Sequence, residues 1–181
     1  DISAGAFRIQ GLVKKLDQTL SQNIQIQVIT AIPNRYSARD KENQFSSRVH
    51  IKKIYVPNFG KNFISLAASY SFYFCQAIIS GILAKPHLII GTSSRFFTLF
   101  LSTIVATLSR SKLIIDLRDI FSESFKDNFG STNYFISVVI FKIIFFLECL
   151  SLRRADLIIQ VSPCFQDYFK NKILATKWLT I

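Results

Sequence analysis

Lys112-Leu113-Ile114-Ile115-Asp116-Leu117-Arg118-Asp119 sets a short apolar run directly against a cluster of charges. The run is short, continuous and apolar, as expected of a strand covered by helices on both faces of a parallel sheet. The same form recurs at Leu88-Ile89-Ile90-Gly91 and at Leu157-Ile158-Ile159. Spacing around these runs predicts strands at 87–91, 112–116, 156–161 and 177–181, alternating with helices over 62–84, 95–109, 131–152 and 164–170. Such alternation defines an α/β fold, here a Rossmann-like three-layer sandwich with a mostly parallel sheet.

Upstream, Ile9, Leu12, Val13, Leu16 and Leu20 recur at helical spacing, with Lys14, Lys15 and Asp17 on the opposite side, so an amphipathic helix is predicted over 5–20. Ile24, Ile26 and Val28 alternate with Gln25 and Gln27, which suggests a strand over 24–30. A polar loop from Asn34 to Ser47 and a second strand at 49–56, closed by Pro57, Asn58 and Gly60, complete this part.

A chain of 181 residues suits one globular domain, assigned here to 1–181. Half of the residues are hydrophobic and 18 are Phe, which excludes a disordered tail. The net charge of +11 attracts anions, whether nucleic acid, an anionic membrane face or phosphorylated substrates. No nucleic-acid partner is expected, because the aromatic residues sit in apolar runs and are not interleaved with basic ones. Cys75, Cys149 and Cys164 are odd in number and lack paired metal spacing, which favours free thiols in a reducing, cytoplasmic compartment. His50 and His87 stand alone, so no metal is expected.

Residues 1–22 lack the order of a signal peptide. The uncharged run Asn62–Ala84 is long enough to cross a bilayer, and apolar runs at 96–109 and 128–147 follow, which leaves a polytopic membrane protein as an alternative. The serines of the first run, Lys142 in the third and the strand alternation weigh against it.

In an open parallel sheet, ligands bind beyond the carboxyl ends of the strands. There the sequence offers Gly91-Thr92-Ser93-Ser94-Arg95, Asp116-Leu117-Arg118-Asp119 and Val161-Ser162-Pro163. Ser3-Ala4-Gly5-Ala6-Phe7-Arg8 opens the first helix with small residues, through which a phosphate can reach free backbone N–H groups. A simple N-cap at Ser3 fits that segment as well. Thr92, Ser93, Ser94 and Arg95 can bind phosphate or sugar hydroxyls, or Ser93 or Ser94 can simply cap the next helix. Asp119 and Arg118 are the candidate catalytic pair, since a carboxylate there can orient or deprotonate an acceptor hydroxyl; a structural pair of Arg118 with Asp116 or Asp119 is the alternative. Glu148, Arg153, Arg154 and Asp156, with both arginines at a helix C-terminus, read as structural.

In their order and spacing these segments resemble the N-terminal domain of the bacterial family 4 glycosyltransferases that build lipopolysaccharide, O-antigen and capsule. The resemblance covers nearly the whole chain, through residues 3–8, Lys85-Pro86-His87-Leu88 to Ser94, Ile115 to Asp119, and Glu148 with Arg153-Arg154-Ala155-Asp156 to Ser162. It implies the acceptor-side half of a retaining GT-B enzyme that moves a sugar from a nucleotide-sugar to a lipid-linked saccharide acceptor in surface polysaccharide biosynthesis. No cofactor is implied beyond the nucleotide-sugar substrate. Gly5 and Ala6 would lie near the donor diphosphate, and Thr92, Ser93, Arg118, Asp119 and Ser162 would line the acceptor side. The chain then reads as a fragment, without the first strand and the C-terminal donor domain, inactive alone and peripheral on the inner face of the plasma membrane. His87 stands where the family usually has Asp. A non-catalytic α/β module that binds phosphorylated ligands or a membrane surface is the alternative.

Overall fold

The computed structural model describes residues 4–32, 45–56, 63–93, 96–124, 134–173 and 177–181. Most of the loop expected at 34–47, the turn at 57–60, residues 1–3, Ser94 and Arg95 lie outside the described residues. The elements run α1 (Ala4–Thr19), β1 (Ile26–Ala31), β2 (Val49–Ile54), α2 (Phe63–Leu83), β3 (Leu88–Thr92), α3 (Phe96–Leu108), β4 (Lys112–Leu117), α4 (Tyr134–Arg154), β5 (Leu157–Gln160), α5 (Pro163–Phe169) and β6 (Lys177–Thr180). The chain is α/β, and every strand pair is parallel, compatible with a Rossmann-like three-layer sandwich. It divides into two compact units, Asp1–Ala84 and Lys85–Ile181.

In the first unit β1 pairs with β2 from Ile26↔Val49 to Ala31↔Ile54, and α2 packs on both strands. Val13, Ile54 and Ala77 are the buried apolar side chains among its described residues. Asp17, on the polar side of α1, is a fastening point. Its carboxylate accepts the Ser46 N–H at 2.9 Å, the Ser46 hydroxyl and Arg48 Nε at 2.8 Å. Arg48 also donates to the carbonyls of Leu20 and Ser21, which closes the end of α1. These hydrogen bonds, the Ser46 hydroxyl first, hold the Asp17 carboxyl down to about 2.

The second unit holds a four-stranded sheet in the order β3-β4-β5-β6. Register places Ile89 and Gly91, then Leu113, Ile115 and Leu117, then Ile158 and Gln160 on one face. That face packs against Leu99 and Ala106 of α3 and Cys149 and Leu152 of α4, with Phe169 and Ile173 closing the core. Complete burial of Leu113, Ile115, Leu117, Leu152, Ile158 and Phe169 stabilises the unit by about 1.5–3 kcal/mol per side chain. Phe145 stacks on Phe169 with centroids 6.1 Å apart and meets Tyr168 edge-on at 5.9 Å, joining α4 to α5.

Gly91 is required by a close approach: a Cβ there would fall 2.6 Å from Ser102 Cβ of α3. Helix α3 ends in a Schellman arrangement, with Ser111 N–H on the Ala106 carbonyl and Arg110 N–H on Thr107. Arg110 takes the left-handed position at φ 55°, where glycine is usual. The Arg154 Nη2 donates to Ala106 O at 3.1 Å and Ser111 O at 2.8 Å, so this arginine satisfies carbonyls at the end of α3. Asp156 accepts Leu113 N–H and Lys112 Nζ, both at 2.9 Å, which tie the start of β5 to β4 and lower its pKa, the Leu113 N–H first. The structural assignment of Arg154 and Asp156 agrees with these contacts.

Candidate functional site

The carboxyl ends of β3 and β4 form one constellation. Thr92 pairs with Asp116 in the ladder, and the Ser93 N–H continues it onto the Asp116 carbonyl at 3.0 Å. The buried Ser93 hydroxyl accepts the Arg118 N–H at 2.8 Å, so Ser93 clasps two strand ends together. Thr98 in turn holds the Thr92 carbonyl at 2.9 Å. Arg118 Nε donates to Asp116 Oδ2 at 3.1 Å, with the two side chains 20% and 7% exposed. The pairing of Arg118 is thus with Asp116, one of the two partners left open by sequence. Its Nη2 is buried and has no hydrogen-bond partner among the described residues. Asp119 follows immediately and is exposed.

Behind this loop lies a fully buried carboxylate. Glu148 of α4 accepts the Phe121 N–H at 2.9 Å, the Ser122 N–H at 3.4 Å and the Ser122 hydroxyl at 2.7 Å. Residues 121–124 are helical, so Glu148 occupies the position where a helix start favours an anion. Burial raises its pKa, against the lowering effect of those three donors. Tyr168 donates to Glu123 at 2.7 Å, and its phenol is pushed up to about 12, by burial first and then by this bond. The exit of β4 is therefore pinned from both sides, by Ser93 and by Glu148.

Ser162, two residues after β5, serves as the N-cap of α5, with its hydroxyl accepting the Cys164 N–H at 3.3 Å and Pro163 in the first turn. Buried Gln160 beside it accepts the Gln166 N–H and donates to Thr180 Oγ1, both at 3.0 Å. Gly5 and Ala6 stand in the first turn of α1, in the other unit. Ser93, Asp116 and Arg118 are brought into direct contact; Thr92 joins them through the ladder, whereas Asp119 and Ser162 are placed on the same edge of the sheet.

Sequence reasoning missed Glu148 as a support of this loop and Gln160 as a link between β5, α5 and β6. Glu148 did carry a signal, being the one acid in the apolar helix Tyr134–Arg154. Chemically, the constellation presents a cation with a spare buried donor and an exposed carboxylate, suited to an anionic or hydroxyl-bearing ligand. Among the described residues no group of His, Cys, Asp and Glu could hold a metal ion. None of their helices is long and apolar enough to cross a membrane.

The fold and site define an α/β chain with a polar constellation at the carboxyl edge of a parallel sheet. Compared with protein-family models, curated proteins and solved structures, the chain matches none.

Proposed function

We propose that this chain is the acceptor-side part of a retaining glycosyltransferase, working from a nucleotide-sugar onto a lipid-linked saccharide at the inner face of the plasma membrane. The observation that carries the reading is Arg118, fixed by Ser93 and Asp116 at a strand exit yet keeping a buried donor that has no partner among the described residues. A ligand oxygen supplies what that donor lacks. In the reaction, the acceptor hydroxyl oxygen bonds to the anomeric carbon as the bond to the diphosphate breaks. Nucleoside diphosphate leaves, and the exposed Asp119 carboxylate takes the hydroxyl proton. Gly5 and Ala6, in the first turn of α1, are suited to a donor phosphate through the free N–H groups of a helix start.

A binding module for phosphorylated ligands is the second reading, favoured by the same spare donor and the +11 charge. Nucleoside diphosphate release separates the two. The full-length protein, given common sugar nucleotides and a lipid-diphosphate-sugar acceptor, is expected to release it only when both are present. No release from any pair would leave the binding module as the better reading.

A further inference from the structure

The outward side of α4 is an apolar stripe. Val139, Ile143, Phe146 and Leu150 recur at helical spacing and are 41%, 53%, 65% and 46% exposed. They lie opposite the buried Glu148, Ser151 and Leu152, which settles the inward side of the helix. Lys142 and Arg153 border the stripe on one flank by the same helical geometry, and both are exposed. Next to it, Phe145, Phe146, Cys149, Leu150, Arg153 and Lys172 line an apolar cleft of about 280 Å³. Arg153 is held there by its Nε bond to the Lys172 carbonyl at 2.8 Å. The one acid of α4, Glu148, is turned away from this surface, so the charge flanking the stripe is of one sign.

We propose that this α4 face docks onto an anionic lipid bilayer, with Ile143, Phe146 and Leu150 entering the interface and Lys142, Arg153 and Lys172 meeting lipid phosphates. The occupant follows from charge complementarity: an apolar stripe edged by cations, on a chain of net charge +11, matches an anionic interface. A protein partner would be expected to offer acidic groups to three cations, and a second copy of this chain brings the same three cations against them. The proposal rests on the membrane-surface part of the reading above and does not depend on sugar transfer.

Flotation of the full-length protein with vesicles tests it. Binding is expected to phosphatidylcholine vesicles containing about one third phosphatidylglycerol and to be lost in pure phosphatidylcholine. Lys142→Gln should weaken binding about fivefold, and Phe146→Glu on the order of tenfold or more. Both positions are exposed, and unchanged circular dichroism would show that the fold persists. Equal binding to neutral vesicles, no binding to anionic ones, or binding indifferent to both substitutions would overturn the proposal. So would light scattering that shows Phe146→Glu splitting a dimer. Nucleotide release assayed in detergent with a short-chain acceptor should be unaffected by Phe146→Glu, which separates failure of this surface from failure of the transfer reaction.

Discussion

The Ser93 hydroxyl accepts the backbone N–H of Arg118 at 2.8 Å, so a side chain at the end of one strand fixes the backbone leaving the next. Removing it in Ser93→Ala leaves a part-buried N–H without its acceptor and should destabilise the protein by about 1–3 kcal/mol. Urea unfolding would measure this, with the slope against urea unchanged.

Arg118→Lys keeps a cation beside Asp116 but removes the planar fork and the buried Nη2. Transfer should fall by on the order of tenfold to a hundredfold, if one charge-assisted hydrogen bond of about 1.5–3 kcal/mol is lost to the ligand. Stability should change far less. Initial rates and denaturant midpoints on the same preparation decide this.

Glu148 gives a pH prediction with a definite sign. Its folded pKa lies above the ordinary 4.5, so its contribution to stability is complete below that value and is lost as pH rises through the folded pKa. Melting temperature should therefore decline across this rise in the wild type. In Glu148→Gln that part of the decline should vanish, and the amide retains an acceptor for the Phe121 N–H. Calorimetry over a pH series reads both.

Asp17 works in the opposite direction. Its carboxyl is lowered from 3.8 to about 2, so its stabilising effect is present above 3.8 and disappears as pH falls toward about 2. Asp17→Asn should flatten this acid limb, measurable by hydrogen exchange at amides of α1 and β2.

Arg110→Gly should stabilise the protein by about 0.5–1 kcal/mol, because φ 55° is unfavourable for a side chain and free for glycine. Gly91→Ala should do the reverse, by about 1–3 kcal/mol, since the added Cβ meets Ser102. Thermal melts of both variants compare the two close backbone demands directly.

The strands of the second unit were legible because Leu88-Ile89-Ile90, Leu113-Ile114-Ile115 and Leu157-Ile158-Ile159 are apolar through and through, and the observed β3, β4 and β5 lie within one or two residues of expectation. Asp156 was expected inside a strand but precedes β5, its carboxylate being taken by Leu113 and Lys112. The second strand was expected to reach residue 56 and ends at Ile54. What a continuous apolar run conceals is which of its residues face the helices. Register shows Leu113 and Ile115 buried, while Leu88 on the alternate side is 50% exposed. In the site, residue types at strand ends were visible, but their partners were not. Nothing in one dimension says that Ser93 meets Arg118, or that Glu148 crosses from another helix to Ser122. Such contacts join residues 25 and 26 positions apart.

If the exit of β4 receives the acceptor, steady-state kinetics of Asp119→Asn in the full-length protein should reveal it. The side chain is exposed, so the fold should stand. kcat/KM for the acceptor should fall at least about a hundredfold, within the range of general acid–base effects, with the KM for the nucleotide-sugar nearly unchanged. Transfer at the wild-type rate, or a loss confined to nucleotide-sugar binding, would contradict it.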